Sequence, residues 1–425
     1  MVNNMVEMKD SGIEWIGKIP KTWKVEQISK IYRERNEKVS DKNFQPLSVT
    51  KKGILHQLEN VAKTDNGDNR KLVLSGDFVI NSRSDRRGSC GISPYNGSVS
   101  LINTVLEPYG DINDRYYNYV FKSERFADEF YKWGHGIVDD LWSTKWNDMK
   151  RICIPYPSIE EQEKVSNYLD LKTNIIDDTI SKTKETIEDY EKYKLSLITE
   201  VITGGLDKKI EMKNSEIKWI GDIPKNWDVV PLKKECFYQE GPGIMAKDFR
   251  EYGVPLIRIS GVKGNNVSLE GCNYLDPEMV KIKWNHFRLD KDDIVVSASS
   301  STGIVSIVND DNVVGAIPYT GLIRFKVGSR LLTKYLVYFI SSNVFLEQIN
   351  IQKTGATIQH YGPTHLSNVK ILLPSKDEQK LIVQYLDKKC LEIDNLISSK
   401  QKLITELEDY KKSLIYECVT GKKEI

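Results

Sequence analysis

Ser11-Gly-Ile-Glu-Trp-Ile-Gly-Lys-Ile-Pro-Lys-Thr-Trp-Lys-Val25 returns later in the chain as Ser215-Glu-Ile-Lys-Trp-Ile-Gly-Asp-Ile-Pro-Lys-Asn-Trp-Asp-Val229. Trp15, Gly17, Pro20 and Trp23 fall on Trp219, Gly221, Pro224 and Trp227 without a gap, an agreement over rare residue types that chance does not supply. Internal repetition constrains a fold more than any local propensity does. Working outward, the matches continue in the same order. Gly76-Asp-Phe-Val-Ile80 resembles Asp292-Asp-Ile-Val-Val296, and Tyr116-Tyr-Asn-Tyr-Val-Phe121 resembles Tyr335-Leu-Val-Tyr-Phe-Ile340. Pro157-Ser158 with Glu161-Gln162 matches Pro374-Ser375 with Glu378-Gln379, Tyr168-Leu-Asp170 matches Tyr385-Leu-Asp387, and Tyr193-Lys194 matches Tyr410-Lys411. The chain of 425 residues is two copies of one half.

The parts then follow: a globular domain 1–157 with repeat segment 10–25, a long helix 158–204, a second globular domain 205–374 with repeat segment 214–229, and a long helix 375–425. Short β-type runs broken by Gly, Asn, Asp and Ser (Leu72–Asn81, Ile92–Val99, Ile294–Val296, Ile304–Val308) predict small α+β domains. One amphipathic helix is expected in each, around Tyr116–Phe130 and Leu331–Ile349, with Tyr119, Phe126, Phe130, Tyr338 and Phe345 in the core.

Residues 158–203 and 375–420 lack both Pro and Gly. Leu169, Ile176, Tyr190 and Leu197 recur in steps of seven or fourteen, with Ile180, Ile187 and Val201 four residues on. Leu386, Ile393, Leu407 and Leu414 pair likewise with Cys390, Ile397, Ile404 and Cys418. This is the a/d pattern of a coiled coil, in one register in both copies. Thr183, Lys400, Lys194 and Lys411 interrupt the seams, so packing there must be looser or polar. Both helices are expected to stop at glycine, Gly204 and Gly421. If they pack antiparallel, they form an intramolecular rod of roughly 65–70 Å joining the two domains with pseudo-two-fold symmetry.

Composition excludes several classes. No run of 18 apolar residues is present and the start of the chain lacks the plan of a signal peptide, so no membrane partner and a cytoplasmic location are expected. The six cysteines are scattered without a CxxC pair and the five histidines do not cluster, which points to reduced thiols and no metal site. Net charge is +1, so nucleic-acid binding must rest on local clusters. There is no Gly-x-x-x-x-Gly-Lys-Ser/Thr phosphate loop, no Asn-Pro-Pro-Phe-type methyltransferase signature and no glycine-rich S-adenosylmethionine loop.

The Trp-Ile-Gly-x-Ile-Pro-x-x-Trp segments, the Asp77 and Asp293 strands running into Gly/Ser loops, the Thr354-Gly-Ala-Thr357 turn and the Pro-Ser-x-x-Glu-Gln helix starts resemble the specificity subunits of type I restriction–modification systems. The resemblance covers nearly the whole chain. It implies two tandem α/β target recognition domains, each reading one half of a bipartite asymmetric site in double-stranded DNA, with the helices setting the unread spacer. It implies two methyltransferase subunits docked on the helical regions, and allows two restriction subunits beyond them. S-adenosylmethionine, ATP and Mg2+ would bind those partners, leaving this chain without catalytic residues or cofactors of its own.

Phosphate contacts need Lys, Arg, Ser, Asn or free amides, and base contacts need paired donors and acceptors. In the first domain the loop Asn81-Ser-Arg-Ser-Asp-Arg-Arg-Gly-Ser89 offers Ser82, Arg83, Arg86 and Arg87, with Asp85 expected to neutralise one arginine. Lys51, Lys52, Arg70, Lys71, Lys132, His135 and Lys145 follow. The equivalent second loop carries Ser299, Ser300 and Thr302 but no arginine. Arg258, Ser260, Lys263, Asn265, Lys353, Thr354, Gln359 and His360 complete the set, and the contrast between the loops fits two different half-sites. The competing readings are a coiled-coil scaffold with two protein-binding heads, which predicts no DNA preference, and a nuclease, which needs convergent carboxylates that the sequence does not place.

Overall fold

The structure, a computed structural model, describes residues 7–57, 67–136, 142–217, 220–264, 266–298, 304–352 and 361–425. Trp219 of the repeated motif lies outside them. The chain divides into two compact units, Met1–Lys184 with Gln401–Ile425, and Glu185–Lys400. Each unit contains one globular region and a stretch of both long helices, which run over Ile159–Gly204 and Lys376–Val419. Among the described residues, no helix is long and apolar enough to cross a membrane.

In the first unit the repeated tryptophan segment forms a hairpin, Met8–Asp10 against Lys18–Pro20. The next strand, Lys24–Gln27, pairs antiparallel with Cys153–Tyr156, so the globular region opens and closes at one place, beside the start of the first long helix. Between them lies a four-stranded antiparallel sheet in the order Cys90–Ile92, Phe78–Asn81, Asn103–Pro108, Tyr32–Glu34. An outer three-stranded sheet (Gly97–Val99, Arg70–Val73, Lys38–Val39) and the hairpin Leu47–Thr50/Gly53–His56 stand beyond it. The run read as one strand from Leu72 to Asn81 is two strands, because Asp77 folds a turn: its carboxylate accepts Leu74 N at 2.8 Å while paired to Arg35.

The second unit repeats this framework. Met212–Asn214 pairs with Asp222–Pro224, Asp228–Pro231 with Lys370–Leu373, and the central sheet keeps its order as Val305–Ile307, Ile294–Ser297, Leu322–Val327, Cys236–Glu240. The outer sheet does not repeat. It has the order Phe249–Arg250, Asn273–Leu275, Val254–Ile257, Ile317–Pro318, with one parallel pair.

Where sequence periodicity predicts one helix, each unit has two. Asp114–Lys122 and Glu124–Lys132 are broken at Ser123, whose ψ of 143° leaves the helical region and whose hydroxyl accepts Phe126 N at 3.3 Å. A serine that caps the next helix competes with continuing the last one. Thr333–Ile340 and Asn343–Gln352 are broken likewise at Ser341-Ser342. Phe126, Phe130 and Phe345 are buried as expected. Tyr119 and Tyr338 are only half-buried and turn to the long helices instead.

The motifs at the helix starts explain that docking. Ser158 N donates to Glu161 Oε2 (3.1 Å) and Glu161 N to Ser158 Oγ (3.3 Å), a reciprocal cap. Buried Gln162 accepts Asn113 N at 2.9 Å and donates to Pro157 O at 2.9 Å. Its counterpart Gln379 accepts Leu332 N at 2.9 Å and donates to Pro374 O and Arg330 O, both at 3.0 Å. About two helical turns on in each copy, Asp170 accepts Tyr119 Oη and Arg115 at 2.7 Å each, as Asp387 accepts Tyr338 Oη at 2.7 Å and Lys334 at 2.6 Å. Burial pushes the Tyr119 hydroxyl up to about 12, so it remains a donor.

Within each unit the two long helices pack antiparallel. In the first, Leu169, Ile176, Ile180, Ile404 and Leu414 are buried, and in the second Leu197, Leu386 and Ile393, with Ile187 and Ile397 half-covered. The interrupting lysines are satisfied across the seam: Lys411 donates to Asp177 (2.6 Å) in the first unit and Lys194 to Asp394 (2.7 Å) in the second. The left-handed residues that stop the helices are Gly205 (φ +68°), one past the expected Gly204, and Gly421 (φ +67°). A Cβ at Gly421 would lie 2.5 Å from Pro20, and one at Gly205 3.2 Å from Trp227, so both glycines seat a tryptophan segment on a helix end.

Leu386→Ala, which empties a fully buried seam position, is expected to destabilise the second unit by about 2–5 kcal/mol in urea unfolding. Leu391→Ala on the same helix, at a side chain 62% exposed, should change stability by no more than about 0.5 kcal/mol.

Candidate nucleic-acid interface

The arginine loop of the first unit leaves the strand Phe78–Asn81, makes a single helical turn at Ser84–Arg86 and returns into Cys90–Ile92. Asp85 lies between two arginines rather than on one, 3.4 Å from Arg83 and 3.6 Å from Arg86. Arg87 pairs with Asp128 of the helix Glu124–Lys132. All of these ions are substantially exposed, so each pair contributes about 0–1 kcal/mol and a phosphate or base can displace the carboxylate. Beside the loop runs the segment around Ser143, with Thr144 N donating to Ser82 O at 2.9 Å and His135 bridged to Ser143. A cleft of about 300 Å³ opens there, where the structure brings together the candidates Lys71, Ser82 and Lys145. Glu34, Thr104, Trp146 and the exposed Leu101 and Ile102 form the rest of its wall.

The other candidates of this unit fall into two groups. Lys51 and Lys52 occupy the tip of the hairpin Leu47–Thr50/Gly53–His56 and are exposed. Lys132 is exposed but pairs with Glu14 at 3.2 Å, and exposed His135 lies 3.4 Å from Asp148. Arg70 and Lys71, read from sequence as surface cations, are interior. Arg70 is 6% exposed and donates to Ser98 Oγ (2.8 Å) and Ser98 O (3.1 Å), its guanidinium lowered by burial. Lys71 is 8% exposed and held by Glu34 at 3.1 Å. Ser82 is also buried, sharing a hydrogen bond with Thr104 at 3.2 Å. Adjacent basic residues in a strand point to opposite faces, and here both faces are covered.

In the second unit, Asn265, Ser299, Ser300, Thr302, Lys353, Thr354, Gln359 and His360, with the Thr354–Thr357 turn, lie outside the described residues. Ser260 is exposed and donates to Glu270 O at 2.9 Å, while Lys263 pairs with Glu270. Arg258 is half-buried and donates to Asn273 Oδ1 at 2.9 Å beneath the ring of Tyr319. Sequence reasoning passed over Asn273 and Tyr319, whose neighbourhood only strand register reveals, and the run Lys281-Ile-Lys-Trp-Asn-His286. That run follows the outer sheet and leaves Lys281, Ile282, Lys283 and His286 exposed, a basic and apolar mixture that was visible in the sequence.

The buried charges of the framework are structural. Asp77 pairs with Arg35 at 2.8 Å, and its counterpart Asp293 with Arg324 at 2.6 Å. Burial pushes the Asp293 carboxyl up, whereas the Lys326 hydrogen bond holds exposed Asp290 down. The thiols of Cys90, Cys236 and Cys418 are pushed up to about 12 by burial, so they stay protonated. Among the described residues there is no group of three or more His, Cys, Asp or Glu side chains placed to hold a metal.

Arg70→Ala removes two interior hydrogen bonds and should lower the stability of the first unit by about 1–3 kcal/mol, read as a lower urea midpoint. Lys51→Ala, at a hairpin tip, is expected to leave that midpoint in place.

Comparison with known proteins places this geometry. A family model described as "Type I restriction modification DNA specificity domain" matches residues 224–409. The MjaVIII specificity subunit of Methanocaldococcus jannaschii is 30% identical over 281 residues, an alignment covering 64% of this chain and 62% of that relative. The putative MjaX specificity subunit of the same organism is 24% identical over 437 residues, covering 96% of this chain and 95% of the relative. A solved chain from work on complex assembly and conformational transition of the type I R-M system superposes with a TM-score of 0.73 at 15% identity, over 95% of this chain and 99% of that one. It has the same fold.

Proposed function

From the similarity of this chain to the DNA specificity subunits of type I restriction–modification systems, we infer that its two globular regions each read one half of a split, asymmetric site in double-stranded DNA. One observation carries this reading: the two units share a docking framework residue for residue but differ in their outer sheets. The antiparallel central sheet, helix pair and buried glutamine are common to both. Among the described residues, the hairpin bearing Lys51 and Lys52 occurs in the first unit alone, and the sheet beside Arg258 in the second. Duplicated frames with divergent faces suit a protein that must hold two unlike sequences in a fixed relation.

In this role the chain supplies the address and its partners the chemistry. Two methyltransferase subunits dock on the repeated helical surfaces and methylate adenine N6 with S-adenosylmethionine. Two restriction subunits add ATP- and Mg2+-dependent cleavage. The long helices fix the number of unread bases, and the complex works in the cytoplasm, where the DNA is. In the first region Arg83, Arg86, Arg87 and Lys145 are the base- and phosphate-facing groups, with Lys51 and Lys52 on phosphate and the interior Arg70 and Lys71 supporting them. In the second, Arg258, Ser260 and Lys263 take these roles, with Asn265, Ser299, Ser300, Thr302, Lys353, Thr354, Gln359 and His360 as further contacts.

Sequencing the methylome of cells expressing this chain with and without its methyltransferase tests the reading. The expected result is a new N6-methyladenine motif, split by unspecified bases and dependent on both proteins. A complex that forms but writes no motif favours the scaffold alternative. Binding by that complex should weaken with salt, and Lys51→Ala and Lys52→Ala should each flatten the log–log slope by about 0.9 without altering the motif. An unchanged slope removes the hairpin tip from the interface.

A further inference from the structure

We propose that Arg258 is a preorganised guanine reader, the residue through which the second recognition region demands a guanine at one position of its half-site. The assignment rests on the DNA-recognition reading above and adds a base and a role to it.

Arg258 leaves the end of the strand Val254–Ile257, next to Asn273 of the neighbouring strand, whose register pairs Leu256 with Asn273. Its Nη1 donates to Asn273 Oδ1 at 2.9 Å, fixing one arm of the guanidinium. Its plane is covered by Tyr319, 4.5 Å from the ring centroid, with Phe249 at 5.9 Å. Tyr319 is itself anchored, its hydroxyl donating to Ile244 O at 3.0 Å and its amide to Ile257 O at 3.0 Å. The guanidinium is thus oriented by parts of three strands before any ligand arrives.

Its charge is unmatched. Of this unit's arginines, Arg324 is met by Asp290 and Asp293 and Arg330 by Glu235 and Asp228, while Arg250 and Arg288 bond neutral oxygens. Arg258, although half-buried, makes no ion pair among the described residues. A partly desolvated cation held by a neutral amide and a ring face costs stability unless an electron-rich ligand completes it. The loop arginines Arg83, Arg86 and Arg87 of the first region differ, for each meets a carboxylate, Asp85 or Asp128. Flexible exposed cations suit phosphates, whereas a rigid fork with free N–H groups matches the O6 and N7 acceptors of guanine in the major groove. Orienting the fork in advance reduces the entropy lost on binding.

The test is Arg258→Lys in the assembled complex with its methyltransferase. Lysine keeps the charge but loses the fork. Methylome sequencing should then show one guanine of one half-site becoming degenerate while the other half-site keeps its sequence. Affinity for the original site should fall roughly 5- to 150-fold, with little change for sites altered at that guanine. An unaltered motif overturns the proposal, and so does an equal loss on all sequences with a salt slope flatter by about 0.9, which marks a phosphate contact. If Arg258→Lys lowers the melting temperature of the complex, Asn273→Ala serves instead. It keeps the guanidinium, releases its tether and should loosen the same position, and an intact motif there counts against the proposal. The wild-type complex tests the underlying reading separately, because a chain that writes no split motif fails before Arg258 is in question.

Discussion

A glutamine at the start of each long helix holds the structure's separate parts together. Gln162 and Gln379 are buried, at 1% and 0% exposure, and each uses both ends of its amide. The oxygen takes the amide N–H that leads into the helix pair and the nitrogen returns a bond to the proline carbonyl before the long helix. No apolar side chain of that shape substitutes without stranding backbone groups, at about 1–3 kcal/mol each. Because the glutamine fixes where the long helix begins relative to the globular region, the tyrosine–aspartate contact about two turns on and the seam beyond it fall into register.

The seam shows the same economy. The antiparallel packing of each unit brings a lysine of one helix to an aspartate of the other, Lys411 to Asp177 and Lys194 to Asp394. Each long helix therefore carries one donor and one acceptor, and each uses its donor in one unit and its acceptor in the other. A slip by one heptad would set the lysines opposite Gln401 and Lys184 in one sense, and in the other opposite Asp387 and Asp170, which the globular regions already engage, so the observed alignment is favoured even though the apolar positions repeat.

Much of this was legible in the sequence. The repeat, the long helices, their seam and the burial of Phe126 and Phe345 follow from periodicity, which depends on local geometry alone. The break at Ser123 was not, because a capping serine inside an amphipathic run looks the same as a solvated one until its hydroxyl finds Phe126 N. Nor was the fate of Arg70 and Lys71. Their burial is decided by Ser98 and Glu34, residues distant in sequence that composition cannot pair with them. Arg258 was visible as a basic residue, but what distinguishes it is the company of Asn273 and Tyr319, which only the outer sheet assembles.

The two units are unequal in one respect. The second is continuous in sequence, from Glu185 to Lys400, while the first is completed by Gln401–Ile425 from the far end of the chain. Tyr116 Oη donates to Val419 O at 2.8 Å, and Tyr416 Oη to Trp15 O at 3.1 Å, closing loops of some three to four hundred residues. During synthesis the first unit, although begun first, has Trp15 and Trp23 against Phe126 and Tyr116 early but lacks the second helix that completes it until Gln401–Ile425 has been made. A ribosome that stops short of Gln401, or a protease that cuts beside it, therefore injures the unit whose globular region was made first.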